Sequence, residues 1–230
     1  MRRLDSESLK FWEETSHRYH EQLTETALSY LAGRGLSMAA VDYYRIGYVD
    51  DPAAGHDDYR GRIALPILKK CGAVGFQFRC IEDHRCKDAK HAKYYTDGDQ
   101  WLYNTAALDE PGDVIGFCEG AFNAYILSFE CGIPTLGIPG ADSWKGHPWW
   151  ADIAKGHRKR LFFADNDASN DKNPGVRLGK EAAKDVLGLK LILMPEDEDP
   201  NSTFLKFGRE EIYRRAGYVP PSRRHLELVS

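Results

Sequence analysis

Acidic side chains in the second half of the chain are placed where they could share a metal ion. Glu119 and Asp165 each directly follow a short apolar run. Asp167 lies two residues beyond Asp165, and another apolar run is followed by Glu196, Asp197, Glu198 and Asp199. The carboxyl ends of parallel strands meet at one edge of an open sheet, where carboxylates repel one another unless a cation lies between them. Each acid alone is more often a solvated loop residue, but their joint placement predicts a divalent-cation site suited to Mg²⁺.

The spacing of the middle pair supports this prediction. In an extended segment, residues two apart point the same way, so Asp165 and Asp167 can face one site.

A basic stretch lies upstream of these acids. Residues 59–93 contain nine Lys and Arg but three Asp and Glu, with aromatic residues interleaved. Cations displace the counterions of a phosphate backbone while rings stack on bases, so this pattern is typical of a nucleic-acid contact. Composition alone leaves a solvated hairpin face equally open.

A group of cysteines and histidines lies in the same stretch. Cys80 and Cys86 flank His84, and His91 follows five residues later, yet none of the five cysteines forms a CxxC pair. This spacing matches no usual zinc template, so the preferred interpretation is a solvent-facing His84 beside packing thiols. Zinc is not expected.

Apolar periodicity predicts the elements of the first half. Residues 6–33 are expected to form helix in two pieces, and Ser37 to cap a short helix. The runs 62–68 and 73–79 predict an antiparallel hairpin with Pro66 at an edge or a bulge.

Beyond about residue 112, short apolar strands alternate with helices. The predicted strands are 114–118, 134–138, 160–164 and 190–194, and the predicted helices are 121–129 and 175–187. This alternation indicates an α/β unit with a mainly parallel sheet, preceded by an α+β region.

Composition excludes several classes of protein. The chain has 230 residues, 42% of them hydrophobic, and 31 Lys and Arg against 35 Asp and Glu, for a net charge of -4. This balance does not by itself indicate nucleic-acid binding. No apolar run is long enough to span a membrane and no signal peptide begins the chain, so a cytoplasmic protein is expected.

Three segments of the second half resemble the signatures of a TOPRIM domain, the metal-binding fold of primases, type IA and II topoisomerases and several nucleases. They are Val-Ile-Gly-Phe-Cys-Glu-Gly at 114–120, Phe-Phe-Ala-Asp-Asn-Asp at 162–167 and Glu-Asp-Pro-Asn at 198–201. Upstream, the segments 62–67, 75–79 and 93–95 resemble the subdomain that precedes TOPRIM in DnaG-type bacterial and phage primases. The resemblance covers roughly residues 25–207.

The resemblance implies a fold and a domain plan. The fold is a Rossmann-like TOPRIM domain, with a mainly parallel sheet flanked by helices, preceded by a smaller α+β primase subdomain. The implied limits are 1–110 for the first subdomain, 111–207 for TOPRIM and 208–230 for a short C-terminal helix or tail.

It also implies an activity and the residues that perform it. The chain is expected to be a DNA primase, a DNA-directed RNA polymerase that makes short RNA primers on single-stranded DNA from ribonucleoside triphosphates, with Mg²⁺ or Mn²⁺. Glu119, Asp165 and Asp167 are implied to bind the catalytic metal, with Asp199 as a further ligand. The nucleic-acid and nucleotide contacts that the resemblance implies are Arg62, Arg79 and Lys93. Lys145 is a further candidate for a triphosphate contact because of its position beside the loop residue Trp144, not because of the resemblance.

The chain departs from the family at two positions, since Asn123 and Asn201 stand where acids are common. The zinc module and helicase-docking domain of full-length bacterial primases are not expected here, which suggests a stripped core such as a phage encodes. A replicative helicase or a separate zinc-module protein is then the expected partner, in a bacterial or phage-infected cell. Two alternatives stay open: a TOPRIM nuclease, and a non-catalytic module that binds single strands.

Overall fold

The computed structural model describes residues 5–98, 101–110 and 112–220, and the chain divides into two compact units between Ala106 and Ala107. The boundary expected near residue 110 lies a few residues beyond this point. None of the described helices is long and apolar enough to cross a membrane.

Three helices open the first unit: α1 (Ser6–Glu21), α2 (Glu25–Gly33) and α3 (Met38–Tyr43). The two-piece helix is therefore confirmed. Each helix begins where a short polar side chain accepts a hydrogen bond from a backbone N–H of the first turn, which is otherwise unsatisfied. These N-caps are Asp5, Thr24 and the predicted Ser37.

A four-stranded antiparallel sheet completes the first unit. Its strands, in spatial order, are β1 (Gly47–Tyr48), β2 (Arg62–Lys69), β3 (Gly72–Cys80) and β4 (Tyr94–Gly98). The predicted hairpin is β2–β3, and its register shifts between Pro66 and Leu68, as expected for a proline at a bulge.

Helix α1 packs directly on this sheet. Tyr19 is fully buried in a cluster that includes Phe76 and Phe78 of β3. A Cβ on Gly47 of β1 would lie 2.4 Å from the backbone carbon of Tyr19, so only glycine allows this approach. The core of the first unit thus lies between α1 and the sheet.

The second unit is built on a four-stranded parallel sheet flanked by helices, which confirms the predicted fold class. Its spatial order is β6 (Thr135–Ile138), β5 (Val114–Glu119), β7 (Lys159–Ala164) and β8 (Leu189–Leu193). The helices are α4 (Ala121–Tyr125), α5 (Trp150–Ile153), α6 (Pro174–Asp185) and α7 (Pro200–Ala216), and α4 continues as a π-helical turn over Ile126–Glu130.

The sequence predicts a limit at residue 207, next to an interruption of the last helix. Gly208 (φ 76°, ψ 179°) has a non-helical backbone, so α7 consists of two helical pieces that meet at this kink. Ile212 and Ala216 beyond the kink are fully buried, so the described part of segment 208–230 continues the second unit.

Candidate functional site

The acidic edge of the parallel sheet consists of Glu119, Asp165, Asp167 and Asp199. Glu119 is the last residue of β5, and Asp165 directly follows β7. These strands are neighbours in parallel register, with Cys118 opposite Phe163, so the two carboxylates leave the sheet side by side. The topology therefore produces the arrangement that the sequence predicts for this pair.

Asp165 lies at the centre of the acidic edge. Burial raises the pKa of its carboxyl well above the usual value, and the charges of Asp199 and Glu119 raise it further. Its Oδ1 accepts a hydrogen bond from Asn123 Nδ2 at 3.1 Å. A neutral amide orients this carboxylate but leaves its charge uncompensated.

Glu119 has a similar environment. Burial raises the pKa of its carboxyl, as do the negative charges of Asp167 and Asp142. Two neighbouring carboxyl groups with raised pKa values are typical of a functional site and of one that attracts a cation.

The other two acids are placed differently. Asp167 is exposed in the loop after β7. Asp199 is the N-cap of α7, where its Oδ1 accepts a 2.6 Å hydrogen bond from the backbone N–H of Ser202. The four acids of the acidic edge therefore come from three places: the end of β5, the segment after β7 and the start of α7.

Two of the predicted nucleic-acid contacts, Arg62 and Arg79, are buried in the first unit. Arg62 donates to the carbonyl oxygen of Ala92 at 3.2 Å, and its guanidinium lies 4.6 Å from the centre of the Tyr95 ring. Its contacts hold the β3–β4 connection in place.

Arg79 packs between two aromatic rings. It donates to the hydroxyl of Tyr30, and its guanidinium lies 4.9 Å from the centre of the Tyr94 ring. Burial lowers the pKa of this guanidinium.

The two predicted lysines are exposed, in different units. Lys93 lies at the rim of a cleft in the first unit. Lys145 lies in the second unit, where its Nζ is 3.2 Å from Oε1 of Glu181. To reach a triphosphate, Lys145 would have to exchange this ion pair.

The cleft in the first unit has a volume of about 630 Å³. Its basic and aromatic lining includes Tyr30, Arg79, Arg85, Lys87 and Lys93. Arg85 and Lys87 come from the β3–β4 connection rather than from the hairpin itself. The concave basic surface is thus assembled from three sequence segments, which composition alone could not show.

Comparison with known proteins shows where this architecture occurs. The chain is 35% identical over 159 residues, or 68% of its length, to the Gene 57 protein of Mycobacterium phage D29, and the match covers 99% of that protein. The chain belongs to the family of that phage protein. No family model matches the sequence.

Solved structures share the fold of this family member. A DnaG primase catalytic domain bound to single-stranded DNA is 19% identical, with a TM-score of 0.67 over 91% of this chain and 80% of that chain. The RNA polymerase domain of Mycobacterium tuberculosis DnaG, in complex with a double-stranded DNA oligomer with a 6-nucleotide overhang, is 16% identical. Its TM-score is 0.71 over 94% of this chain and 82% of that chain. The fold is that of the DnaG catalytic core, as the sequence predicts.

Asparagines support the acidic edge in a way that the sequence analysis missed. The backbone N–H of Asn166 donates to the carbonyl oxygen of Glu198 at 2.9 Å, and its Nδ2 donates to that of Met194 at 3.0 Å. Asn173, the N-cap of α6, donates to Asn166 Oδ1 at 3.0 Å. Side-chain direction alternates along an extended segment, and this alternation could have identified Asn166. A residue between two acids that face one site points to the opposite side.

Gly175 was also missed. A Cβ at this position in the first turn of α6 would lie 2.5 Å from the carbonyl oxygen of Asp165 and 2.8 Å from its Cβ. The absence of a side chain lets α6 pack against the residue at the centre of the acidic edge.

Proposed function

We propose that this chain is the catalytic core of a DNA primase, which makes short RNA primers on single-stranded DNA from ribonucleoside triphosphates. The observation that carries the proposal is the acidic edge, with Glu119 and Asp165 at the ends of adjacent parallel strands in a chain with the DnaG core fold. In this proposal the second unit is a TOPRIM domain.

The donors of the acidic edge fit Mg²⁺ or Mn²⁺, because both ions favour carboxylate oxygens. Burial and mutual repulsion raise the pKa values of Glu119 and Asp165, and a divalent cation relieves that repulsion. When bound, the metal would activate the 3'-hydroxyl of the primer and neutralise charge on the triphosphate. Glu119 and Asp165 would hold it, while Asn123 fixes the orientation of the Asp165 carboxylate.

The cleft of the first unit suits a nucleic-acid strand. Cationic side chains on its wall, among them Arg85 and Lys87, would displace counterions from phosphates, and Tyr30 offers a ring for stacking. DnaG domains of the same fold have been solved with single-stranded DNA and with a DNA overhang, which supports a DNA template as the partner.

Primer synthesis tests the proposal directly. Purified protein would be incubated with single-stranded DNA, labelled ribonucleotides and Mg²⁺ or Mn²⁺. We expect short RNA products from the wild type, and a loss of about 100-fold or more in Asp165→Asn, because a charged group at the reacting centre is removed. The matched control is Asp113→Asn, an exposed acid just before the opposite end of β5, which should retain activity.

Two other results would overturn the proposal. Shortening of the template that depends on Asp165 would show a nuclease. Salt-dependent binding of single strands, with no product and no effect of Asp165→Asn, would show a non-catalytic binding module.

A further inference from the structure

Two cysteines and two histidines of the first unit converge in three dimensions. Cys80 ends β3, and His84, Cys86 and His91 lie in the connection to β4. One ligand atom from each lies within 4.8 Å of the other three. We propose that these four residues bind a structural Zn²⁺ ion.

The separations between ligand atoms are close to those of a zinc tetrahedron. With Zn–S near 2.3 Å and Zn–N near 2.1 Å, neighbouring ligand atoms lie roughly 3.3 to 3.8 Å apart. Cys80 Sγ is 3.8 Å from His84 Nε2, and His84 Nε2 is 2.7 Å from His91 Nε2. Metal binding would shorten the longest distance between two ligand atoms by about 1 Å. It would lengthen the distance between the two imidazole Nε2 atoms by about half an ångström.

The remaining ring nitrogens have the partners that metal-bound histidines usually have. His84 Nδ1 is 3.1 Å from Oε2 of Glu82, and His91 Nδ1 is 3.1 Å from the carbonyl oxygen of Ala92. A carboxylate or carbonyl at Nδ1 selects the tautomer that leaves Nε2 free for metal. Arg62 Nη2 also lies 3.1 Å from His91 Nδ1, so zinc binding would favour the hydrogen bond to Ala92 over the one to Arg62.

The donor set and the surrounding chain both favour zinc in a structural role. Two thiolates and two imidazoles form a common structural zinc set, and four protein ligands leave no open position for a substrate. The connection 81–93 has no helix or strand and few buried side chains, so it has little apolar packing to hold its shape. A metal crosslink would supply that order and so fix the wall of the basic cleft that carries Arg85 and Lys87.

The proposal differs from the expectation drawn from sequence spacing. Zinc templates are recognised by tight CxxC turns, whereas Cys80 and Cys86 are separated by five residues and His84 lies between them. Only the folding of the connection back on the end of β3 brings His91 to the other three ligands.

Metal content of the full, untagged chain tests this inference without any assay of catalysis. After dialysis we expect about one zinc per chain in the wild type and none in Cys80→Ser or Cys86→Ser. Cys71→Ser is the matched control, because Cys71 is an exposed thiol in the β2–β3 turn of the same unit, and it should retain the metal. Glu82→Gln should weaken zinc affinity by about tenfold.

Cobalt substitution gives a readout that does not depend on how well the variants fold. Co²⁺ added to metal-free wild type should produce the visible bands of a tetrahedral site and a thiolate-to-cobalt charge-transfer band. Absence of that band, or zinc content that is equal in Cys80→Ser and wild type, would overturn the inference. Two thiols that stay unreactive after chelation but react after reduction would show a disulfide instead, which also overturns it.

Discussion

Asn123 connects two parts of the acidic edge through one side chain. Its Nδ2 donates to Oδ1 of Asp165 at 3.1 Å, and its Oδ1 accepts from the backbone N–H of Asn201 at 3.1 Å. The amide thus ties the residue that follows β7 to the first turn of α7. An aspartate at this position could still accept the hydrogen bond from Asn201. Toward Asp165, however, it would present a second negative charge instead of a hydrogen-bond donor.

Asn123→Asp should therefore make the metal-free protein less stable, by about 1–3 kcal/mol, because a charged acceptor then faces Asp165. Mg²⁺ should raise the Tm of this variant more than that of the wild type. Thermal unfolding with and without Mg²⁺ measures both effects. Asn170→Asp, which adds the same charge in an exposed loop, is the control. Equal Mg²⁺ shifts in the two variants would contradict the prediction.

Asp165→Asn should stabilise the metal-free protein at neutral pH, although it should remove most of the proposed primer synthesis. The folded state raises the pKa of Asp165, so its ionisation favours unfolding, and stability falls as pH rises through the folded pKa. The variant removes this penalty while its Oδ1 can still accept from Asn123. A gain of about 1 kcal/mol would raise the Tm by roughly 2–4 °C.

The pH dependence separates this effect from a general change in packing. The Tm difference between Asp165→Asn and wild type should grow from acidic to neutral pH and vanish when Asp165 is protonated in both states. Asp113→Asn should show no such gain, because Asp113 is exposed. A variant less stable than wild type at neutral pH without metal would argue against the prediction.

Gly175→Ala should disturb the acidic edge, although Gly175 is not one of its four acids. The new Cβ would lie 2.5 Å from the carbonyl oxygen of Asp165, which is backbone and has little freedom to move. We expect a loss of about 1–3 kcal/mol in stability together with weaker Mg²⁺ binding, measured by unfolding and by calorimetry. Gly156→Ala is the control, because nothing lies within 4 Å of its added Cβ.

The contacts of Asp97 should stabilise the first unit at pH values above the pKa that Asp97 has in the unfolded chain. Its Oδ2 is 3.3 Å from His56 Nε2 and accepts a 2.6 Å hydrogen bond from Trp12 Nε1. These contacts lower the pKa of Asp97 below its model-compound value of 3.8, and the hydrogen bond with His56 has the largest effect. The stabilisation is therefore present above that value and is lost as pH falls through the lower folded pKa.

Asp97→Asn should accordingly reduce the stability of the first unit at pH 7 by about 1–3 kcal/mol. Hydrogen exchange of amides in β3 and β4 would report the loss, and the difference should vanish in strong acid. Asp58→Asn, at an exposed position of the same unit, should exchange like the wild type. Equal exchange in Asp97→Asn and wild type at pH 7 would show that the contact adds nothing.

The local sequence was sufficient to predict most of the helices and strands. The β2–β3 hairpin, the bulge beside Pro66 and the Ser37 cap follow from chain chemistry within a few residues. The neighbouring positions of Glu119 and Asp165 also followed, since strand–helix alternation implies a parallel sheet whose carboxyl ends share an edge.

Contacts between segments that are far apart in the sequence could not be predicted from local sequence. Arg62 and Arg79 are basic residues in a basic stretch, yet both are buried against aromatic rings that come from elsewhere in the first unit. Burial of a guanidinium depends on partners that only the folded chain supplies.

The sequence by itself determined the types of elements, their order and the acids at the strand ends, because these depend on periodicity and on the covalent order of the chain. Tertiary structure alone decided which polar groups meet. Asn123 reaches Asp165, and His91 reaches Cys80 and Cys86, only after the segments between them have folded. Residue spacing along a chain does not limit such contacts, since a loop can bring its ends together at a cost that grows slowly with its length.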